Sequence, residues 1–234
     1  MMGERGMWFK QTFYEWSARV PLLVAGPGVA APGRRAEVCS LVDLLPTFLD
    51  VASAAEGGVR VAPVEPLDGR SLALLLRGEP APDEGEAVSE YSSEGVCAPS
   101  RMVRRGRYKY IYTLGLPPLL FDLESDPKEL RNLAGQPAVR VVEAELHRRA
   151  LADWDPDDVH RRILLSQRRR LFLKAESQRK GHFPDWTFEA REGDADRFVR
   201  PAGAGGAVGP KPRARFPFVS PTPPDLPGRT PRAG

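Results

Sequence analysis

Lys10 is the first residue of this chain whose setting suggests chemistry. It closes the run Gly6-Met7-Trp8-Phe9-Lys10, and Glu15 and Arg19 follow closely. An ammonium in a glycine- and aromatic-rich approach holds an anion as a compact point charge. Spacing alone favours reading the same residue as a solvated surface lysine. A second group, Glu90, Tyr91 and Glu94, lies just ahead of Cys97 and combines carboxylates with an aromatic face. The remaining titratable residues are less organised. His147, His160 and His182 have no metal-ligand spacing, and Asp43 and Asp50 lie on one helix without converging.

The elements that must position these residues belong to an ordinary globular chain. With 234 residues it is long enough for one domain or two small ones, and 41% hydrophobic with 28% charged residues fits a soluble protein. Two cysteines are too few for a disulfide scaffold, and no Cys-x-x-Cys pair suggests zinc. No apolar run reaches the roughly 18 residues of a membrane span. No apolar segment of the signal-peptide kind follows Met1, so a cytoplasmic location is expected. The basic runs Arg104-Arg105-Gly106-Arg107, Arg161-Arg162 and Arg168-Arg169-Arg170 are scattered among acidic neighbours without aromatic platforms, which argues against nucleic acid.

Residues 1–80 read as α/β. The apolar run from Val20 to Ala25 predicts a strand covered on both faces, ended by Gly26-Pro27-Gly28. Ser40 caps a helix whose apolar residues Leu41, Leu44, Leu45, Phe48 and Leu49 repeat at helical spacing. Pro46 requires that helix to start near it or to kink. Asp68-Gly69-Arg70-Ser71 predicts a turn and residues 72–76 a short helix.

Residues 85–180 predict a small antiparallel sheet and helices. Strands are expected at 87–91, 101–104, 108–112 and 119–123, with Gly106 turning the second into the third. Val139, Val142, Leu146 and Ala150 form one helical stripe, and Pro156 with Asp157 and Asp158 opens another helix. Residues 181–234 read as an extended Pro/Gly-rich tail with too little apolar content for a core. Its island Arg215-Phe216-Pro217-Phe218 is expected to anchor on a neighbouring copy, making a homo-oligomer.

Five ordered segments resemble the sulfatase family of the alkaline-phosphatase-like superfamily. They are Gly6-x-Trp8-x-Lys10 with Glu15-x-x-x-Arg19-Val20-Pro21-Leu22; Ser40-Leu41-Val42-Asp43-Leu44-Leu45-Pro46-Thr47; Asp68-Gly69-Arg70-Ser71-Leu72; Arg105 to Ile111; and Leu120-Phe121-Asp122-Leu123-x-x-Asp126-Pro127-x-Glu129-x-x-Asn132-Leu133. Within the family the likeness is to the choline-sulfatase group. It extends to Ser166-Gln167-Arg168-Arg169-Arg170, Trp186, Arg197-Phe198-Val199-Arg200 and Ala214-Arg215-Phe216-Pro217. The resemblance implies the C-terminal part of a sulfatase α/β fold, with residues 1–80 as the edge of the core.

That resemblance also implies roles. Lys10 matches the family lysine that grips the sulfate ester, and Glu15 and Arg19 match positions that shape its loop. The complete enzyme would hydrolyse choline sulfate with calcium and a formylglycine nucleophile. Their aspartates, modified cysteine and metal-binding Asp-His are expected upstream of Met1. This chain is therefore expected to hold no metal and to be inactive alone. Glu90 or Glu94 is the preferred candidate contact for the quaternary ammonium of such a substrate, against the favoured reading of both as solvated loop acids. Cys97-Ala98-Pro99-Ser100-Arg101 matches the formylglycine motif but lacks its Leu-x-Thr-Gly continuation, so Cys97 reads as an ordinary cysteine. An aryl or carbohydrate sulfatase portion, or a non-catalytic anion-binding or structural remnant, are the alternatives.

Overall fold

The structure is a computed structural model that describes residues 1–30, 33–55, 63–93 and 95–181. Residues 1–169 form one compact unit, and Arg170–Gly234 a second. Glu94, His182, Trp186 and residues 182–234 of the expected tail, including Arg215-Phe216-Pro217-Phe218, lie outside the described residues.

The N-terminal part is built from short helices joined by extended chain. Helix α1 spans Glu15–Ala18, α2 spans Leu44–Ala55 and α3 spans Ala73–Leu76. Pro46 falls in the first turn of α2, where its missing N–H costs no helical bond. A 3₁₀ turn, Leu41–Asp43, leads into that helix. Buried Asp43 organises this corner: its carboxylate accepts the Ser40 N–H at 2.8 Å and the Arg70 N–H at 2.9 Å. The Asp68-Gly69-Arg70 turn is thereby fixed against the start of α2.

The strand expected at residues 20–25 does not form. These residues are extended, and Val20, Leu22, Leu23 and Val24 are all exposed, Leu23 at 88%. The physical reason is the lack of a pairing edge. The four described strands pair with one another, and none of them runs beside residues 20–25. An apolar run has strand preference, but a ladder needs a neighbour to receive its hydrogen bonds.

The sheet follows the predicted pattern. Strands β1 (Glu86–Tyr91), β2 (Ser100–Arg105), β3 (Tyr108–Thr113) and β4 (Leu119–Asp122) form an antiparallel meander in chain order. Gly106 makes the β2–β3 turn with φ +49°, and a Cβ there would lie 2.5 Å from Glu84 Oε2. Side-chain alternation divides the sheet into two cores. On one face Val103, Tyr110 and Leu120 pack with Leu146 and Ala150 of α4, which spans Arg140–Leu151. On the other, Met102, Ile111 and Phe121 pack with Phe13 from the N-terminal segment. The sheet is thus covered by a helix on one side and by the approach to α1 on the other.

Helix α5, Pro156–Arg179, begins as expected at Pro156. Asp155 caps it, accepting the N–H groups of Asp157 and Asp158 at 3.0 Å each. It buries no side chain among the described residues.

The end of β4 is clasped by charge. Asp122, on β4, receives both arms of Arg107, with Nε at 2.7 Å, and the Ser125 hydroxyl at 2.8 Å. The guanidinium holds the Asp122 carboxyl far below the usual carboxylate range, against the opposing effect of burial. A depressed folded-state value contributes stability that is complete above the unfolded value, about 4, and is lost as pH falls below it. Urea unfolding should therefore show the wild type losing more stability than Arg107→Ala between about pH 4 and pH 2, with the two converging at the acid end. Parallel curves would contradict the assignment.

Candidate functional site

The segment that carries Lys10 is fixed to the sheet three residues later. Phe13 is buried against Met102, Ile111 and Phe121. Tyr14 tilts against Phe121 with ring centroids 5.9 Å apart, and the Arg5 guanidinium stands 4.2 Å above the Tyr14 ring. Arg5 also donates to the Lys128 carbonyl at 3.3 Å. The chain around Lys10 is thus held from both sides of its sequence position.

Beneath it lies a buried ionic cluster. Lys109 projects from β3 onto the Phe13 face and is 1% exposed. Its ammonium donates to the Phe13 carbonyl at 2.8 Å and to Glu129 Oε1 at 2.8 Å, and it forms an ion pair with the Glu15 carboxylate. Glu129, fully buried, uses its other oxygen to accept the Glu15 N–H at 2.7 Å. Two carboxylates therefore meet one lysine. Arg104 lies directly across from Lys109 in the β2–β3 register and supplies a second cation nearby. Burial presses the Arg104 guanidinium below its usual range, the Glu15 charge opposes that, and the Arg19 charge reinforces it.

The expected site residues fall into two groups. Glu15 and Arg19 sit at the two ends of α1, and the Arg19 N–H donates to the Glu15 carbonyl at 3.0 Å. Glu15 faces the cluster, and Arg19 is exposed. Lys10 is also exposed, beside half-exposed Trp8 and Phe9, with no ion pair to any described residue. Its charge is free for an anion from outside. Glu90 lies elsewhere. It pairs in register with Arg101, whose Nε is 3.6 Å from its carboxylate, and it shares the α4 face of the sheet with Val88. The β1–β2 loop that follows does return to the Lys10 side: a Cβ on Gly95 would lie 2.3 Å from the Gln11 side-chain oxygen. Glu94, beside Gly95, is outside the described residues.

Cys97 is exposed and unpaired with any other cysteine. The residues after it are absorbed by the sheet. Pro99 is buried, Ser100 Oγ is 2.7 Å from Thr113 Oγ1, and Arg101 donates to the Ala150 carbonyl at 3.2 Å. The motif thus leads into a strand rather than a helix. Among the described residues no three His, Cys, Asp or Glu side chains converge on a metal position. The described residues do not fit a calcium site. No helix among them is long and apolar enough to cross a membrane.

The sequence missed Lys109, Glu129 and Arg104 as a unit. The one available signal was the alternation Tyr108-Lys109-Tyr110-Ile111-Tyr112, which puts Lys109 on the same sheet face as apolar Ile111. A lysine on such a face requires a buried partner.

Comparison with known proteins places this architecture. The family model described as N-sulphoglucosamine sulphohydrolase, C-terminal, matches residues 3–154. A choline-sulfatase from Rhizobium meliloti (strain 1021) is 38% identical over 204 residues, covering 86% of this chain and 38% of that protein. Arylsulfatase K from Gallus gallus is 40% identical over 142 residues, covering 56% of this chain and 25% of that protein. The solved structure of BT4656 in complex with its substrate D-glucosamine-2-N,6-O-disulfate superposes with a TM-score of 0.53 at 25% identity, covering 67% of this chain and 33% of that one. This chain belongs to the sulfatase family, and its fold is that of the C-terminal part of the alkaline-phosphatase-like sulfatases. It spans well under half the length of these relatives.

The cluster makes a stability prediction. Lys109→Met leaves Glu15 and Glu129 facing each other without their shared cation, and should cost about 3–5 kcal/mol in urea unfolding. Lys109→Met combined with Glu129→Leu removes the stranded buried charge and should recover part of that loss. A single variant within about 1 kcal/mol of wild type would show that the cluster is not closed in solution.

Proposed function

We propose that this chain serves the hydrolysis of a sulfate ester of the choline-sulfatase type, choline sulfate to choline and sulfate, and that Lys10 grips the sulfate group. The observation that carries the reading is the placement of Lys10: an exposed ammonium without a described anionic partner, on a segment pinned to the sheet through Phe13. A cation held at a fixed point binds the ester's anionic oxygens, and stabilises negative charge as it redistributes during attack on sulfur. Orienting the ester is the part that these residues perform. In the complete enzyme calcium and formylglycine would supply the metal charge and the nucleophile, and neither is assigned to a residue of this chain.

The choice of choline sulfate over an aryl ester rests on the longer match to the choline-sulfatase, 86% of the chain against 56% for arylsulfatase K. The ester's ammonium end cannot donate a hydrogen bond and needs carboxylates or aromatic faces. The β1–β2 loop approaches Gln11 at Gly95, and Glu94 precedes Gly95 in sequence. Glu90 is the weaker contact, because its carboxylate is turned to Arg101 on the opposite face.

The aryl-sulfatase reading and the non-catalytic anion-binding reading differ from this one in measurable ways. Calorimetric binding to the full chain should show Lys10→Ala weakening choline sulfate and 4-nitrophenyl sulfate alike, by about 10–100-fold, the worth of a charge-assisted contact. Glu94→Gln should weaken choline sulfate alone. Unchanged affinity in Lys10→Ala would overturn the assignment of Lys10. Preference for the aryl ester in wild type would favour the aryl reading. Equal affinity for inorganic sulfate and both esters would favour simple anion binding.

A further inference from the structure

We infer that Lys109 and Glu129 are positioning residues for sulfate-ester binding, acting on Lys10 through Phe13 and Glu15; this rests on the reading of Lys10 as the sulfate grip. Neither residue reaches the exposed surface where Lys10 lies, since Lys109 is 1% exposed and Glu129 is fully buried. Their effect is transmitted through the backbone. Lys109 holds the Phe13 carbonyl and Glu129 holds the Glu15 N–H, so two successive anchor points after Lys10 are hydrogen-bonded to the same ion pair.

The arrangement is over-determined in a way that packing alone would not require. Phe13 already fills an apolar site with Met102, Ile111 and Phe121. An apolar residue at position 109 would extend that site. Instead the chain buries an ammonium that hydrogen-bonds the Phe13 carbonyl and Glu129 and pairs its charge with Glu15. A buried charge is tolerated only when its partners are fixed in place. Glu129 in turn sits at φ +56°, an uncommon conformation for a residue with a side chain. That backbone turns the carboxylate inward, where both of its oxygens are used. The device has directional hydrogen bonds where a hydrophobic contact would allow sliding. It sets the height and direction of the chain that leaves Phe13 toward Lys10.

Three variants of the full chain test this, each assayed for choline sulfate affinity and for thermal midpoint. Glu129→Gln keeps shape but replaces one acceptor oxygen with a donor amide, so the Lys109 and Glu15 contacts cannot both be kept. Its affinity should fall about 3–10-fold while the protein remains folded. Glu15→Gln leaves the Lys109–Glu129 pair intact and serves if Glu129→Gln does not fold; it should weaken binding in the same direction. Leu120→Ala, in the core on the α4 face, is the structural control: it should lower the thermal midpoint without changing affinity below the transition. Loss of stability in Glu129→Gln and Glu15→Gln with wild-type affinity would overturn the inference while leaving the Lys10 reading intact. Wild-type affinity in Lys10→Ala would remove that reading, and the inference with it.

Discussion

A single buried ammonium organises this part of the molecule. Desolvating Lys109 is unfavourable unless its charge is paired and every proton is accepted. The chain partners that charge from three places: a hydrogen bond to the N-terminal segment at Phe13, an ion pair with Glu15 at the start of α1, and a hydrogen-bonded ion pair with Glu129 in the turn after β4. Segments more than a hundred residues apart in sequence thereby share one charge, as the Glu15–Glu129 hydrogen bond shows. The aromatic contacts around it, Tyr14 on Phe121 and Arg5 on Tyr14, seal the same junction from solvent. The sheet supplies a rigid floor, because its opposite face is closed by α4 through Leu146 and Ala150.

The sheet and both long C-terminal helices were legible in the sequence because their signals are local. Alternation, a turn glycine at Gly106, and Pro156 at a helix start each act within a few residues. The capped helix after Ser40 was legible for the same reason, including the tolerance of Pro46 in its first turn. Residues 20–25 were not, since strand preference does not reveal whether a pairing edge is present. At the site, Glu15 was marked by resemblance as a loop-shaping residue, and the structure gives it a partner. Lys109 and Glu129 were not separable from ordinary strand and turn residues. Their pairing depends on the β3–β4 register and on the turn that follows, which no spacing rule encodes. Glu90 was singled out by its nearness in sequence to the β1–β2 loop, and the sheet register that turns it to Arg101 is not encoded in that nearness.

Membership in the sulfatase family gives these observations a chemical direction. Sulfate esters present several anionic oxygens but no proton to give, so recognition falls to cations and N–H donors. On the proposed reading Lys10, exposed and without an ion pair to any described residue, answers that need, while Lys109 and Arg104 are engaged or buried. The buried Lys109 thus ties the N-terminal segment to the sheet, while Lys10 on that segment is exposed.

The most direct measurement is nuclear magnetic resonance of the full chain with isotopically labelled lysine, titrated with choline sulfate. The account predicts a saturable shift of the Lys10 side-chain signals, with those of Lys109 holding their position throughout. Saturation of binding with Lys10 unmoved, or a shift confined to other lysines, would contradict it.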